Sequence, residues 1–408
     1  MERLISALGL VVFVGGAYAF SVNRQAVRWR TVLWGIALQI VFALLILRTS
    51  AGFAVFKFLG DLVGQLLNFS DAGARFVFGD DFERNYFAFK VLPTIIFFSA
   101  LISVLYHYGI LQRVVGWVAW VMMRTMGTSG AESLSCAANI FIGQTEAPLL
   151  IKPYVAQMTQ SELHAVMTGG FATIAGGVMA AYISFGVPAG HLIAASVMSA
   201  PAALAISKLL YPETEDSLTS GTVRIDVKRS SANVIDATAT GASDGLKLVL
   251  NIVAMLIAFL ALLALVNALL GGLGSLFGLP NLSLELVFSY LLAPVAWLMG
   301  VPWADCAQVG ILLGKKTILN EFIAYLDLKT LINNAQAGTG PTISERATII
   351  STYALCGFSN IGSIGIQIGG IGGIAPERQA DLARLGVRAM IAGSLACFMT
   401  AAIAGMLL

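Results

Sequence analysis

Apolar residues in this chain gather into long runs separated by short polar stretches. About 20 apolar residues in a helix cross the hydrocarbon core of a bilayer. Runs of that kind cover roughly 4–21, 31–49, 91–109, 164–184, 188–210, 245–270, 345–371 and 384–407. The pattern therefore predicts eight membrane-spanning helices, with 211–244 as the clearest soluble stretch between them. Segments 53–67 and 111–125 read as interfacial helices, with Trp117, Trp120 and Arg124 suited to the headgroup region.

Two further segments, 131–159 and 303–326, are moderately apolar but carry Gly and strongly polar residues at their centres. The first centre runs from Asn139 through Gly143, Gln144, Thr145 and Glu146 to Pro148. The second holds Gly314, Lys315, Lys316, Thr317, Asn320 and Glu321. Each arm is too short to cross alone, so both segments are expected to be re-entrant hairpins. Irregular backbone exposed to lipid is not viable, and the breaks must line a cavity within the protein.

The chain also repeats itself. Gly170-Phe171-Ala172-Thr173-Ile174-Ala175-Gly176 matches Gly357-Phe358-Ser359-Asn360-Ile361-Gly362-Ser363 almost position by position. Each copy follows a hairpin segment and a Ser-Glu pair, Ser161-Glu162 and Ser344-Glu345. An apolar final span follows each copy. Basic residues favour the inner face. With both termini outside, the inner loops hold Arg24, Arg28, Arg30, Arg113, Arg124 and Lys152, then Arg224, Lys228 and Arg229, then Arg378, Arg384 and Arg388. The outer segment 50–90 offsets its bases with Asp61, Asp71, Asp80, Asp81 and Glu83. In that topology one hairpin enters from inside and the other from outside, which makes the units inverted repeats. Such repeats place a transporter's substrate site near the bilayer midplane.

Composition agrees with a membrane protein. Of 408 residues, 58% are hydrophobic and only 11% charged, against about 25% charged in a soluble domain. Mean hydropathy is +0.84. A net charge of +2 without a basic block argues against nucleic-acid binding. Cys136, Cys306, Cys356 and Cys397 lie in or beside apolar stretches and read as packing residues. Ala17-Tyr18-Ala19 resembles a signal-peptidase site, but Arg24, Arg28 and Arg30 follow the first apolar run instead of preceding it. That charge order suits a first spanning helix.

Glu146 and Glu321 are the acids with most to say about chemistry. A carboxylate at a helix centre costs roughly 2.5–3.5 kcal/mol on insertion scales, so buried examples face a cavity or a partner. Each could simply pair with Lys152, Lys315 or Lys316. Two acceptor-rich carboxylates also suit a neutral polyol, whose hydroxyls donate. Gln144, Thr145 and Asn360 supply mixed donors and acceptors suited to the edge of a heterocyclic base. Phe358 offers an aromatic face or ordinary helix packing, the commoner role for such a residue. Ser363 can bond substrate or its own helix. Asn139 and Thr173 raise the possibility of a sodium site, since unwound helix ends bare carbonyl oxygens. Gly310 to Lys315 lacks one spacer of a phosphate-binding loop, and His107, His164 and His191 are scattered.

The strings 143–149 (GQTEAPL), 169–178 (GGFATIAGGV), 318–325 (ILNEFIAY) and 356–364 (CGFSNIGSI), extended by 97–106 and 231–237, resemble the concentrative nucleoside transporters over essentially the whole chain. The resemblance implies an all-α polytopic membrane protein of eight transmembrane helices, two re-entrant hairpins and interfacial helices. It further implies inverted repeats and assembly as a homotrimer. It implies base contacts at Gly143, Gln144, Thr145, Glu146 and Val178, and ribose contacts at Glu321, Phe358, Asn360 and Ser363. A sodium site would use Asn139 and Thr173, with backbone oxygens of Ile142, Thr173 and Ile174. Thr173 and Gly362 stand where a close relative is expected to carry Ser.

The expected organisation is scaffold and interfacial helices over 1–130 and a first transport repeat over 131–210. A cytoplasmic loop, long scaffold helix and interfacial helix follow over 211–302, and a second transport repeat over 303–408. The expected activity is Na⁺-coupled import of a nucleoside such as uridine by alternating access, with H⁺ as the alternative coupling ion. The eight-span length looks like the bacterial form, and the expected location is a bacterial inner membrane. A charge crossing about 100 mV supplies roughly 2.3 kcal/mol. A two-hairpin carrier for another small polar solute, such as a dicarboxylate, is disfavoured by the acids and the missing Arg at the tips. An intramembrane hydrolase lacks a metal-ligand set or a nucleophile–base pair.

Overall fold

A computed structural model describes residues 1–220, 231–279 and 281–408, and the regular secondary structure among them is helical. Arg224, Lys228 and Arg229 of the expected inner loop lie outside the described residues. The N-terminal part comprises α1 (Glu2–Ala19), α2 (Trp29–Arg48), α3 (Ser50–Phe78), α4 (Leu92–His107, entered through a π-helical turn Phe87–Val91) and α5 (Ile110–Met126). The segment expected as the first hairpin and the helices after it comprise α6 (Gly130–Ala138), the short α7 (Lys152–Val155), α8 (Gln160–Ala172), α9 (Gly176–Ser184) and α10 (Ala189–Leu210). Then come α11 (Val234–Leu276), α12 (Leu284–Leu298), α13 (Trp303–Ile318), α14 (Glu321–Ala337), α15 (Glu345–Leu355), α16 (Ile361–Ile374) and α17 (Gln379–Leu407).

Among the described residues, seven stretches are long and apolar enough to cross a membrane, or eight if the bent pair α12–α13 is one span. This set of eight differs from the sequence expectation in one member. The run 345–371 is not one helix: it stops at Leu355, unwinds over Cys356–Asn360 and restarts at Ile361. The run 164–184 unwinds likewise over Thr173–Ala175. Hydropathy averages over such short breaks, because Cys, Gly, Phe and Ile remain apolar whether or not their backbone is helical. Conversely, α12 meets α13 at a 115° bend, so a second apolar pair appears where only an interfacial helix and a hairpin arm were expected.

Three other boundaries shift. The segment 53–67 belongs to the 29-residue α3, and the second hairpin's far arm continues beyond 326 to Ala337. The soluble stretch 211–244 is shorter than expected, since α11 already begins at Val234, where the Asn233 side chain accepts from the Asp236 amide. At 43 residues α11 is on the order of 64 Å long by helical rise. That is about twice a hydrocarbon core, so it extends well past the apolar layer.

Local chemistry sets the hairpin entries. Gly127, at φ +70°, ends α5 in the left-handed region that glycine adopts readily. Two residues later the Ser129 amide donates to Glu132 Oε1 (2.8 Å) and opens α6. Thr159 and Glu162 cap α8 reciprocally, at 3.0 and 2.9 Å. The Lys208 ammonium, buried at the end of α10, ties these two starts together by reaching Glu132 Oε2 (2.7 Å) and Ser161 Oγ (2.8 Å).

Two groups of helix contacts frame the site. α4 lies along α11. α8, α10, α15, α16 and α17 pack on one another, with α1 against α17 and α2 against α10. α10 and the second half of α17 are buried along nearly their whole length. Exposed apolar side chains such as Phe58, Phe69, Leu250 and Ile257 line α3 and α11.

Candidate functional site

The two unwound segments cross each other at the centre of the packed set. Phe358 N–H donates to the Thr173 carbonyl (3.1 Å). A side chain on Gly357 would sit 2.6 Å from the Phe171 carbonyl oxygen, so only glycine lets the breaks approach this closely. The thiol of Cys397 on α17 is 3.3 Å from the Cys356 carbonyl. All four cysteines are free and buried, in keeping with packing roles. The repeated heptads, widely separated in sequence, thus form one junction of interrupted helices.

The second break aims a polar side chain, Asn360, at the second hairpin. Asn360 caps α16 by accepting from Ser363 N (2.8 Å), and its amide nitrogen donates to Glu321 Oε2 (3.2 Å). Tyr182 of α9 donates its hydroxyl to Glu321 Oε1 (2.9 Å). Gln144, in the first hairpin's tip, donates to Ser363 Oγ (3.3 Å). Tyr182, Glu321, Asn360, Ser363 and Gln144 therefore form one buried polar chain joining both hairpin tips. A buried carboxylate needs such partners, because desolvation without them would cost more than folding can spare.

Glu321 is also the first residue of α14, whose N-cap Asn320 accepts from Ile323 N (3.0 Å). The positive end of the helix dipole favours a carboxylate there. Neither neighbouring lysine pairs with it. Lys315 reaches Asp327 (2.8 Å) and Glu285 (3.4 Å), and Lys316, buried, donates to the Ala354 carbonyl at the end of α15 (2.8 Å). Glu321 is held by neutral donors, which a polyol's hydroxyls resemble.

Glu146 is placed differently. It is exposed, folded back over Gly143, and lines a cavity of about 810 Å³ with Ile142, Ser99, Ser103, Gly176 and Asp244. The structure does not bring Glu146 into contact with Glu321 among the described hydrogen bonds. The expected convergence of both acids on one pocket is not seen in this conformation. Thr145 packs on Gly370 of α16, Val178 is buried in the first turn of α9, and Phe358 is half-buried against the core.

At the other side of the first tip, Asn139 Nδ2 donates to Ser135 O (3.0 Å), while Asn139 Oδ1 is buried with no hydrogen-bond partner among the described residues. Thr173 Oγ1 donates to Gly169 O (2.8 Å), which leaves its lone pairs free, and Ile142 and Ile174 lie in non-helical backbone. An orphaned amide oxygen, a hydroxyl with free lone pairs and unwound carbonyls are each the kind of oxygen donor that a small hard cation such as Na⁺ takes. The Thr173 carbonyl already accepts from Phe358 and has one lone pair left to offer.

Sequence reasoning missed two residues here. Tyr182 sits in an otherwise apolar run, and its hydroxyl was the available signal. Gln367 on α16 donates to Gln144 Oε1 (2.9 Å) and to Met167 O (3.1 Å). A glutamine inside a Gly- and Ile-rich span was its signal.

Three family profiles match successive parts of the chain. They describe the N-terminus of Na⁺ dependent nucleoside transporters (residues 8–81), a nucleoside-recognition gate (88–189), and the C-terminus of Na⁺ dependent nucleoside transporters (191–405). The chain belongs to the concentrative nucleoside transporter family. It is 51% identical over 415 residues to solute carrier family 28 member 3 of Eptatretus stoutii, covering all of this chain and 61% of that protein. It is 49% identical to sodium/nucleoside cotransporter 1 of Mus musculus, with 64% of that protein covered. The chain thus spans somewhat under two thirds of the length of these curated relatives. Structurally it superposes on CNTnw in an inward-facing substrate-bound state with a TM-score of 0.93 and 40% identity, covering 100% of this chain and 98% of that one. An outward-facing CNTnw variant gives 0.94 at 39% identity. Concentrative nucleoside transporters are carriers and not enzymes, and the chain is a multi-pass, all-helical membrane protein with seven or eight apolar spans.

Proposed function

We propose that this chain imports nucleosides, driven by Na⁺, through alternating access. The observation that carries this reading is the buried polar chain from Tyr182 through Glu321, Asn360 and Ser363 to Gln144, which links both hairpin tips. A ribose between the tips exchanges these neutral donors for its own hydroxyls at Glu321, Asn360 and Ser363, beside Phe358. A base meets Gly143, Gln144, Thr145, Glu146 and Val178. Na⁺ is the coupling ion of this proposal, and Asn139, Thr173 and the backbone of Ile142 and Ile174 would hold it. When bound it supplies a positive charge that organises the first tip. This chain's own contribution is the orphaned Asn139 oxygen, already oriented by Ser135.

The finer architecture belongs to the same proposal: eight membrane helices, two re-entrant hairpins (α6–α7 and α13–α14), inverted repeats, interfacial helices and a homotrimer. The division at 130/131, 210/211 and 302/303 is supported by helix boundaries at Gly130, Leu210 and Trp303. Within 1–130, however, α1 and α2 pack on α17 and α10, so we depart from the expected scaffold assignment for these two helices and place them with the moving repeats, keeping α4 with α11 in the fixed frame. The cavity beside Glu146 lies between α4, α11 and the first tip, on the side that opens inward if the termini are outside. Exposed apolar side chains on α3 offer surface to lipid and to neighbouring protomers. A bacterial inner membrane is the proposed location, supported by the match along nearly all of bacterial CNTnw, whereas the curated relatives named above are vertebrate.

The decisive experiment is uptake of radiolabelled uridine into proteoliposomes with Na⁺ and pH gradients imposed separately. Accumulation should follow the Na⁺ gradient, and uptake driven by the pH gradient alone would overturn the coupling. Competition by succinate instead of by nucleosides would point to another solute. For orientation, a Ser220→Cys protein in intact cells should resist an impermeant thiol reagent; rapid labelling would invert the topology.

A further inference from the structure

We infer that Gln367 is a positioning residue that fixes the amide orientation of Gln144, and through it the donor–acceptor pattern offered to the nucleobase. The inference rests on the base contact proposed for Gln144. Gln367 lies in α16, fully buried. Its Nε2 is 3.1 Å from the carbonyl oxygen of Met167 and 2.9 Å from Oε1 of Gln144. A backbone carbonyl can only accept, so the Gln367 amino group must point at Met167. That same nitrogen gives its second hydrogen to Gln144, whose oxygen must therefore face Gln367.

The remaining edge of the Gln144 amide is its amino group, 3.3 Å from Ser363 Oγ, with one hydrogen still to give. Turning Gln144 over would set amino group against amino group in a dry site. Losing a buried hydrogen bond in this way costs about 1–3 kcal/mol, or roughly 5- to 150-fold in population. The Oε1 of Gln367 is buried without a hydrogen-bond partner among the described residues. Met167 and Gln144, not that oxygen, anchor the side chain. Gly170, the first residue of the repeated heptad, makes room: a Cβ there would come within 2.8 Å of Gln367 Nε2 and 2.9 Å of Gln144 Cβ. An immovable carbonyl on α8 thus dictates, through one relay amide, that the first hairpin's tip displays a donor. Such a tip favours a base edge that carries a carbonyl over one that carries an amino group.

The test compares uridine with cytidine, which carries an amino group where uridine carries a carbonyl, in proteoliposomes of correctly inserted protein. Gln367→Leu and Gln367→Met should move the ratio of the two KM values toward one by at least threefold, with Na⁺ half-saturation unchanged. In a Gln144→Ala background the same substitutions should change the ratio no further. A ratio within twofold of wild type, with maximal rates lowered equally for both substrates, would overturn the proposal by leaving Gln367 a packing role only. A second arm needs no variant: at least one of two uridine analogues, lacking the C2 or the C4 carbonyl oxygen, should compete at least threefold less well than uridine. Equal competition by both removes the displayed donor and with it the inference. If wild type takes up no nucleoside, the proposed function itself fails. If it does and Gln144→Ala leaves the ratio unchanged, only the role of Gln144 and Gln367 falls.

Discussion

The two hairpin tips differ in almost every physical respect, although both carry a glutamate. The first is a long irregular stretch from Asn139 to Glu146, with Glu146 exposed to a wide cavity and the Asn139 side-chain oxygen unsatisfied among the described residues. The second is a tight break at Leu319–Asn320, after which Glu321 opens a helix, buried and held by two neutral donors. A loose tip with unmet polar groups changes shape at little cost, whereas a capped and desolvated carboxylate is preorganised. Under the proposed function, the contrast suits the second tip to recognising the hydroxyl-rich part of the substrate and the first to ion-dependent ordering.

The largest expected effect tests the preorganised side. Glu321→Gln removes a charge-assisted acceptor, and hydrogen bonds to charged groups contribute about 1.5–3 kcal/mol each. With two such bonds at stake, uridine uptake by the inserted protein should fall about 100-fold or more. Uptake close to wild type would remove Glu321 from the site. Tyr182→Phe takes away one of those bonds and should lower kcat/KM about tenfold, without altering the amount of protein extracted in folded form. If a folded Tyr182→Phe protein transports normally, the hydroxyl only satisfies the carboxylate at rest.

On the flexible side, Asn139→Ala should raise the Na⁺ concentration for half-maximal uptake about tenfold, the equivalent of about 1.4 kcal/mol of lost ion binding. The uridine-to-cytidine preference should not change, and an unaltered Na⁺ titration would exclude Asn139 from the ion site. The smallest effect belongs to Glu146→Gln. An exposed carboxylate contributes about 1 kcal/mol or less, so KM should rise only a few-fold. A loss as large as that of Glu321→Gln would mean that both tips close on the substrate alike, and the asymmetry would describe one conformation only.

Several residues of the proposed site are already named by the sequence. Gln144 and Asn360 stand out as mixed donors and acceptors and Ser363 as a hydroxyl with either substrate or its own helix to bond, and the structure joins all three in one network with Glu321. The likeness of the two heptads pointed to paired units, and both turned out to be places where helices unwind. Other features were not legible. The breaks at Thr173–Ala175 and Cys356–Asn360 sit inside apolar runs, and hydropathy does not register backbone geometry. Tyr182 and Gln367 are single polar residues whose partners lie 139 and 223 positions away, so nothing near them in sequence announces their roles. Glu146 was grouped with Glu321 because both lie at the centre of an interrupted segment. Their different solvation follows from which helices pack around each tip.

By itself the sequence determined the solvent, the number of apolar spans to within one, the presence of two interrupted segments and the polar residues that must avoid lipid. Those follow from transfer free energies, which add along the chain. Only the tertiary structure decided where helices break, which amide faces which, and that one glutamate is buried while its counterpart meets water. Those depend on pairing between distant backbone and side-chain groups, and no local average contains that information.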